Sequence, residues 1–96
     1  MIHVLLVEDS AVFVMGLKLA LQSDGEFASI ESVATPGAAV AFLKAHPETD
    51  VAMVDISLES ETDGLTLLGT LREAFPAVRT LVLSHYKTPS YILKAI

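Results

Sequence analysis

Three carboxylates and one hydroxyl stand at the ends of apolar segments in this sequence. Glu8 and Asp9 end "IHVLLVED", Asp55 ends "VAMVD", and Ser84 ends "RTLVLS". Short apolar runs rich in β-branched residues are typical of strands buried on both faces of a parallel sheet. A carboxylate at the end of such a strand is costly to desolvate, which suggests that the group has a use.

The chemistry open to such a group of side chains is cation binding and phosphoryl transfer. Carboxylates held close together repel one another, so they favour a bound cation. Mg²⁺ suits them because it prefers oxygen ligands in octahedral geometry and keeps several waters. With the ion in place, one carboxylate can attack an electrophilic phosphorus while the ion neutralises the charge.

The elements that must position these residues alternate between strands and helices. Strands are predicted at 2–8, 27–34, 50–56 and 79–84, and helices at 11–22, 36–46, 65–74 and from 90 onward. Thr35 before Pro36, and Thr88 before Pro89, are cap-plus-proline signals for two helix starts. The alternation predicts an α/β fold, a parallel sheet with helices on both faces, in one domain over residues 1–96. Ligands of such sheets bind at the carboxyl ends of the strands, where the four polar residues lie.

The composition of the sequence argues against several other classes of function. The 96 residues carry a formal charge of −6, which argues against direct contact with nucleic-acid phosphates. No apolar run is long enough to span a membrane, and the first residues do not form a signal peptide. The sequence has no cysteine, which excludes disulfides and thiolate metal sites and fits a cytoplasmic location.

The ordered set "VLLVEDS", "VAMVDIS", "DGLTLLGTLRE" and "LVLS" resembles the response-regulator receiver domain of two-component signalling. The resemblance covers the whole chain and implies a flavodoxin-like receiver topology that lacks the last strand and helix. It implies that Asp55 accepts a phosphoryl group from a histidine kinase or phosphotransfer protein. It also implies a Mg²⁺ site made by Glu8, Asp9, Asp55 and the backbone carbonyl of Ser57, with Ser84 donating a hydrogen bond to the phosphoryl group.

The segment "LVLSHYKTPSYILKAI" resembles receivers that precede a helix-turn-helix output domain. DNA binding is therefore expected only through an output domain that is not in this chain, and the chain itself is not expected to be an enzyme. If the last strand is lacking, residues 79–84 form an unpaired apolar edge, and the missing helix leaves the first helix uncovered. Self-association through the exposed strand edge is a further expectation.

Three departures from the family pattern keep other functions open. Glu59 replaces the family's usual proline, Gly64 lies one residue further from Asp55 than is common, and Lys87 does not match the family's lysine. One alternative is an interaction module that keeps the receiver fold and no longer switches. A less favoured one is a Mg²⁺-dependent phosphohydrolase, a class that needs a second acid where Ser57 stands.

Overall fold

The structure of the chain, a computed structural model, describes residues 2–23, 25–55, 61–83 and 93–95, without the side chains of 61–63 and 93–95. The elements in chain order are β1 Ile2–Val7, α1 Ala11–Gln22, β2 Phe27–Val33, α2 Pro36–Ala45, β3 Val51–Asp55, α3 Glu61–Ala74, β4 Arg79–Leu83 and β5 Leu93–Ala95. The predicted alternation of strands and helices is therefore confirmed from β1 to β4.

The strands form one sheet in the order β2-β1-β3-β4-β5. The first four are parallel, and β5 is antiparallel to β4. The chain thus crosses back over β1 on its way from β2 to β3. This reversal of strand order lies at β1 and β3, where open α/β sheets form their ligand sites.

The core lies between the sheet and the helices α2 and α3. Leu5 and Val7 of β1 pack there against Leu43 of α2 and Leu71 of α3. Helix α1 contacts β2 and has no buried residue of its own. Because strand side chains alternate between faces, β1 is buried from Val4 to Val7 on both sides, as its continuous apolar sequence predicts. No helix in the described part of the chain could cross a bilayer.

The sequence signal for the start of α2 is confirmed. The Thr35 hydroxyl accepts a hydrogen bond from the backbone N–H of Ala38 at 3.2 Å, and Pro36 follows in the first turn. The cap satisfies one of the N–H groups that a helix start leaves without an intrahelical partner.

We expect Thr35→Ala to lower the free energy of unfolding by about 1 kcal/mol, because the N–H of Ala38 loses its acceptor. Urea denaturation followed by circular dichroism measures the change. Thr70→Ala is the matched control, since the Thr70 hydroxyl only donates to the carbonyl of Thr66 on an exposed part of α3. Equal losses in the two variants would contradict a specific role of the cap.

Two expectations about single elements are wrong. Helix α3 begins at Glu61, four residues before the start that the sequence predicts at residue 65. The predicted last helix is replaced over Leu93–Ala95 by strand β5. This strand pairs with β4 over Leu81, Val82 and Leu83, so the edge of β4 is covered there. The basis for self-association through that edge is thereby removed, because its hydrogen-bonding groups have partners within the chain.

Candidate phosphoacceptor and cation site

The parallel pairing of β1 with β3 brings the carboxyl ends of these two strands together. Val7 lies opposite Val54 in the parallel pair, so Glu8 and Asp55, one residue further along each strand, are neighbours. The backbone N–H of Glu8 also donates to the carbonyl of Val33 at 3.0 Å, which extends the pairing of β1 with β2. The site therefore depends on backbone pairing along the two central strands.

Glu8, Asp9 and Asp55 form a compact carboxylate cluster. Each offers one carboxylate oxygen, and these oxygens all lie within 4.8 Å of one another. Glu8 and Asp55 are buried, with Asp55 fully so, while Asp9 is exposed. Two acids are thus held in the protein by their strands and the third faces solvent, an arrangement that leaves room for waters on a bound ion.

The start of α1 fixes the conformation of Glu8. The backbone N–H of Ser10 donates to Oε1 of Glu8 at 2.9 Å, and the Ser10 hydroxyl caps α1 by accepting from the N–H of Phe13 at 3.3 Å. Ser10 is therefore the N-cap of α1. The hydrogen bond to Glu8 was not predicted, although an acid two residues before a helix cap is a signal that can reveal it.

Two of the predicted site residues lie outside the described residues. They are Ser57, predicted to supply a backbone carbonyl, and Ser84, predicted to hydrogen-bond the phosphoryl group. The strand that precedes Ser84 in the sequence is in the expected place, since Leu83 lies opposite Asp55 in the pairing of β3 and β4. The roles of both serines remain predictions.

A surface cavity of about 420 Å³ adjoins the cluster. Glu8 and Asp9 line it on one side, Met15 and Lys18 of α1 on another, and Val33 of β2 on a third. Its walls are mostly apolar away from the two acids. The cluster is therefore reached from solvent along a cleft between α1 and the end of β2.

A second set of polar side chains lies at the opposite, amino-terminal edge of the sheet. The ring of His3 hydrogen-bonds the Ser29 hydroxyl at 2.9 Å, and the ring of His46 contacts the Glu48 carboxylate at 3.2 Å. The pKa of Glu48 is lowered, chiefly by a hydrogen bond from its own backbone and further by His46. Among the described residues, only the Glu8, Asp9 and Asp55 cluster places three metal-ligand atoms within the same short distance.

The strand order and the acidic cluster at the carboxyl edge of β1 and β3 define a flavodoxin-like receiver fold. Residues 4–96 match the family described as the response regulator receiver domain, and the chain belongs to this family of two-component signalling. Domains of this family are signalling domains that take up phosphoryl groups and interact with kinases and output domains.

Solved structures of response regulators are similar to the chain. A response regulator from Thermotoga maritima is 31% identical, with a TM-score of 0.75, over 94% of this chain and 71% of that one. The MaeR response regulator bound to beryllium trifluoride is 25% identical, with a TM-score of 0.76, over 92% of this chain and 70% of that one.

The isolated receiver of RcsB from Salmonella enterica serovar Typhimurium shares the fold at 20% identity. Its TM-score is 0.79, over 94% of this chain and 65% of that one. The comparison with curated proteins finds no match.

Proposed function

We propose that this chain is a phosphoacceptor and that Asp55 takes the phosphoryl group from a phosphohistidine on a kinase or phosphotransfer protein. The observation that carries the proposal is the carboxylate cluster at the carboxyl edge of β1 and β3 in a chain of this family. Asp55 is the member borne by the third strand, and Glu8 and Asp9 flank it. A relative at 25% identity has been solved with beryllium trifluoride bound, which supports the same chemistry here.

The phosphoryl transfer is a single displacement at phosphorus. A carboxylate oxygen of Asp55 forms a bond to phosphorus as the bond from phosphorus to the donor's imidazole nitrogen breaks. The imidazole leaves with that electron pair, and Asp55 becomes an acyl phosphate. The burial of Asp55 excludes bulk water from its carboxylate, while its strand holds the oxygen in a fixed direction.

Mg²⁺ fits the chain's own donors. All three side chains are hard oxygen ligands within the short distances a single ion requires, and Asp9 faces the solvent that supplies the remaining waters. When bound, the ion lowers the repulsion between the incoming phosphoryl group and the acids. In the proposal the carbonyl of Ser57 completes the protein ligands and Ser84 hydrogen-bonds the phosphoryl oxygens.

The wider role follows from the same proposal. The acyl phosphate on Asp55 is read by an output domain, and any DNA contact is made there, since this chain carries a net charge of −6. The chain is a substrate of the donor and not an enzyme acting on many molecules. A cytoplasmic location stays a prediction from the cysteine-free sequence.

Intact mass spectrometry tests the proposal. The chain is incubated with Mg²⁺ and either acetyl phosphate or a phosphohistidine donor, and we expect a mass increase of one phosphoryl group. Asp55→Asn is expected to remove the adduct, because its amide is a poor nucleophile. Asp50→Asn is the matched control, since Asp50 is an exposed acid at the other end of the same strand, where it accepts a hydrogen bond from the N–H of His3.

The outcomes separate the candidate functions. An adduct that persists in Asp55→Asn would overturn the assignment of the acceptor. No adduct with either donor would favour an interaction module that keeps the fold, the alternative suggested by Glu59. Continuous turnover of phosphate esters would favour a phosphohydrolase.

A further inference from the structure

A cavity of about 390 Å³ opens at the amino-terminal edge of the sheet, beside the end of α2. We call it the amino-edge cavity; its polar lining consists of two imidazoles, two carboxylates and two hydroxyls, those of His3, His46, Glu31, Glu48, Ser29 and Thr49. No lysine or arginine is among the described residues that line it. The cavity therefore offers nitrogen and oxygen ligands to a cation, at the opposite end of the strands from the carboxylate cluster.

The first imidazole, that of His3, is oriented by its neighbours on three strands. The N–H of His3 donates to Oδ2 of Asp50 at 2.9 Å, and its carbonyl accepts from the N–H of Asp50 at 2.9 Å. Ser29 lies opposite His3 in the pairing of β1 with β2, and its hydroxyl hydrogen-bonds Nδ1 of the ring at 2.9 Å. Among the described residues none hydrogen-bonds the other ring nitrogen, Nε2, which is left available as a ligand.

The second imidazole, that of His46, is held in a similar way at the end of α2. The carbonyl of His46 accepts from the N–H and the hydroxyl of Thr49, at 3.1 and 2.8 Å, which fixes the turn after the helix. The ring stacks on Phe42, and its Nδ1 contacts the Glu48 carboxylate at 3.2 Å. Within the described part of the chain, Nε2 has no hydrogen bond. Metal-binding histidines hold one ring nitrogen on an oxygen in this way and bind through the other.

We propose that the amino-edge cavity binds a divalent transition-metal cation such as Zn²⁺ through Nε2 of His3, Nε2 of His46 and the carboxylate of Glu31. Imidazole nitrogens and carboxylate oxygens are ordinary ligands of Zn²⁺, and three protein ligands leave a position for water. Glu31 lies two residues after Ser29 on β2, so its side chain is on the same face of the sheet. Ser29 and Glu48 orient the two rings and are not ligands.

The charges around the amino-edge cavity favour a cation. Glu31 and Glu48 contribute two negative charges, which a divalent ion neutralises. The pKa of Glu48 is lowered, chiefly by a hydrogen bond from its own backbone and further by His46 and by His3. Both imidazoles therefore lie close enough to act on the same carboxylate, as two rings around one ion must.

Binding requires some side chains to turn. Among the described residues only the carboxylate cluster has three ligand atoms within 4.8 Å of one another, so those of the amino-edge cavity lie further apart. Glu31 is exposed and the His46 side chain is 46% exposed, so both can change rotamer without disturbing the core. This turning lowers the affinity, and we expect weaker binding than at a preformed site with the same ligands.

A zinc titration of the full chain tests the proposal. A chromophoric chelator competes for Zn²⁺ in buffer with excess Mg²⁺, which is expected to fill the carboxylate cluster, and we expect one Zn²⁺ to bind per chain. His3→Gln and His46→Gln are each expected to weaken binding more than about 100-fold, because each removes a ligand and not merely an outer partner. Circular dichroism checks that every variant is folded.

A pair of serine variants tests how the His3 ring is oriented. Ser29→Ala is expected to weaken Zn²⁺ binding about 10–100-fold, since the hydroxyl holds Nδ1 and aims Nε2 at the ion. Ser32→Ala is the matched control on the same strand; Ser32 lies on the other face, beside α1, and its truncation is expected to leave the affinity unchanged.

Nitrogen-15 spectra of the imidazoles identify the ligand atoms. Zn²⁺ is expected to shift the Nε2 signals of His3 and His46 more than their Nδ1 signals. His85, the third histidine of the chain, is not part of the proposed site, and its signals are expected to stay unchanged.

Three results would overturn the proposal. The first is a chain that binds no Zn²⁺ at millimolar concentration. The second is binding that persists in both histidine variants and is lost in Asp55→Asn, which would place the ion in the carboxylate cluster. The third is an equal effect of Ser29→Ala and Ser32→Ala, which would remove His3 as an oriented ligand. The inference is independent of the proposed function, because a phosphoryl adduct on Asp55 requires none of the proposed zinc ligands.

Discussion

Asp55→Asn is expected to stabilise the chain in metal-free buffer and to remove most of its stabilisation by Mg²⁺. Asp55 is fully buried and its carboxylate lies within 4.8 Å of two others. Without a cation, replacing this acid by its neutral isostere relieves repulsion and the cost of a buried charge, which we place at about 2 kcal/mol. With Mg²⁺ at about one hundred times its dissociation constant, the unaltered chain gains about 2.7 kcal/mol, which the variant largely loses.

Asp55→Asn is thus expected to raise stability without Mg²⁺ and to lower it with Mg²⁺, and this pair of effects distinguishes a cation site from a general change in stability. Urea denaturation with EDTA and with Mg²⁺ gives four free energies of unfolding, and the order of the two proteins is expected to reverse between the conditions. Asp50→Asn, exposed at the other end of β3, controls for a general effect of lowering the negative charge. A variant that is less stable than the unaltered chain in both buffers would contradict a cation site made by this cluster.

Leu71→Ala is expected to cost about 2–5 kcal/mol, because truncating a buried leucine removes its packing and leaves a cavity. Leu71 is completely buried, where α3 meets α2 and the central strands. A domain of this size has a total stability of about 5–15 kcal/mol, so the loss is a large share of it. The midpoint of urea denaturation, followed by far-ultraviolet circular dichroism, measures the change.

Leu65→Ala is the matched control for Leu71→Ala. Both leucines belong to α3, but Leu65 is 58% exposed, so its truncation is expected to change the free energy of unfolding by no more than about 0.5 kcal/mol. Similar losses for the two variants would mean that α3 contributes through helix formation alone and not through packing against the sheet.

Local signals in the sequence were enough to predict the elements that carry the site. The β-branched apolar runs predicted β1, β3 and β4, because only strands buried on both faces tolerate such sequences. The pair Thr35 and Pro36 predicted the start of α2, since a hydroxyl that accepts a backbone hydrogen bond acts within one turn. Glu8, Asp9 and Asp55 were found from their place after strands, which requires no knowledge of the rest of the fold.

Of the two wrong expectations, one was overturned by a distant contact and the other missed a local signal. "LKAI" is suited to a helix, yet residues 93–95 pair with the edge of β4, because backbone hydrogen bonds to an available strand outweigh a small local preference. The predicted start of α3 was residue 65. Helix α3 nevertheless begins at Glu61, and Ser60 just before it, a residue type favoured as a helix N-cap, is a local signal that could have marked this boundary.

By itself, the sequence determined that this chain is an α/β protein with acids at the ends of its buried strands, since period and capping are properties of neighbouring residues. The tertiary structure decided that β1 lies beside β3, so that Glu8 and Asp9 meet Asp55 within 4.8 Å. Strand order is set by which buried faces pack together, and that choice is made by the whole chain at once.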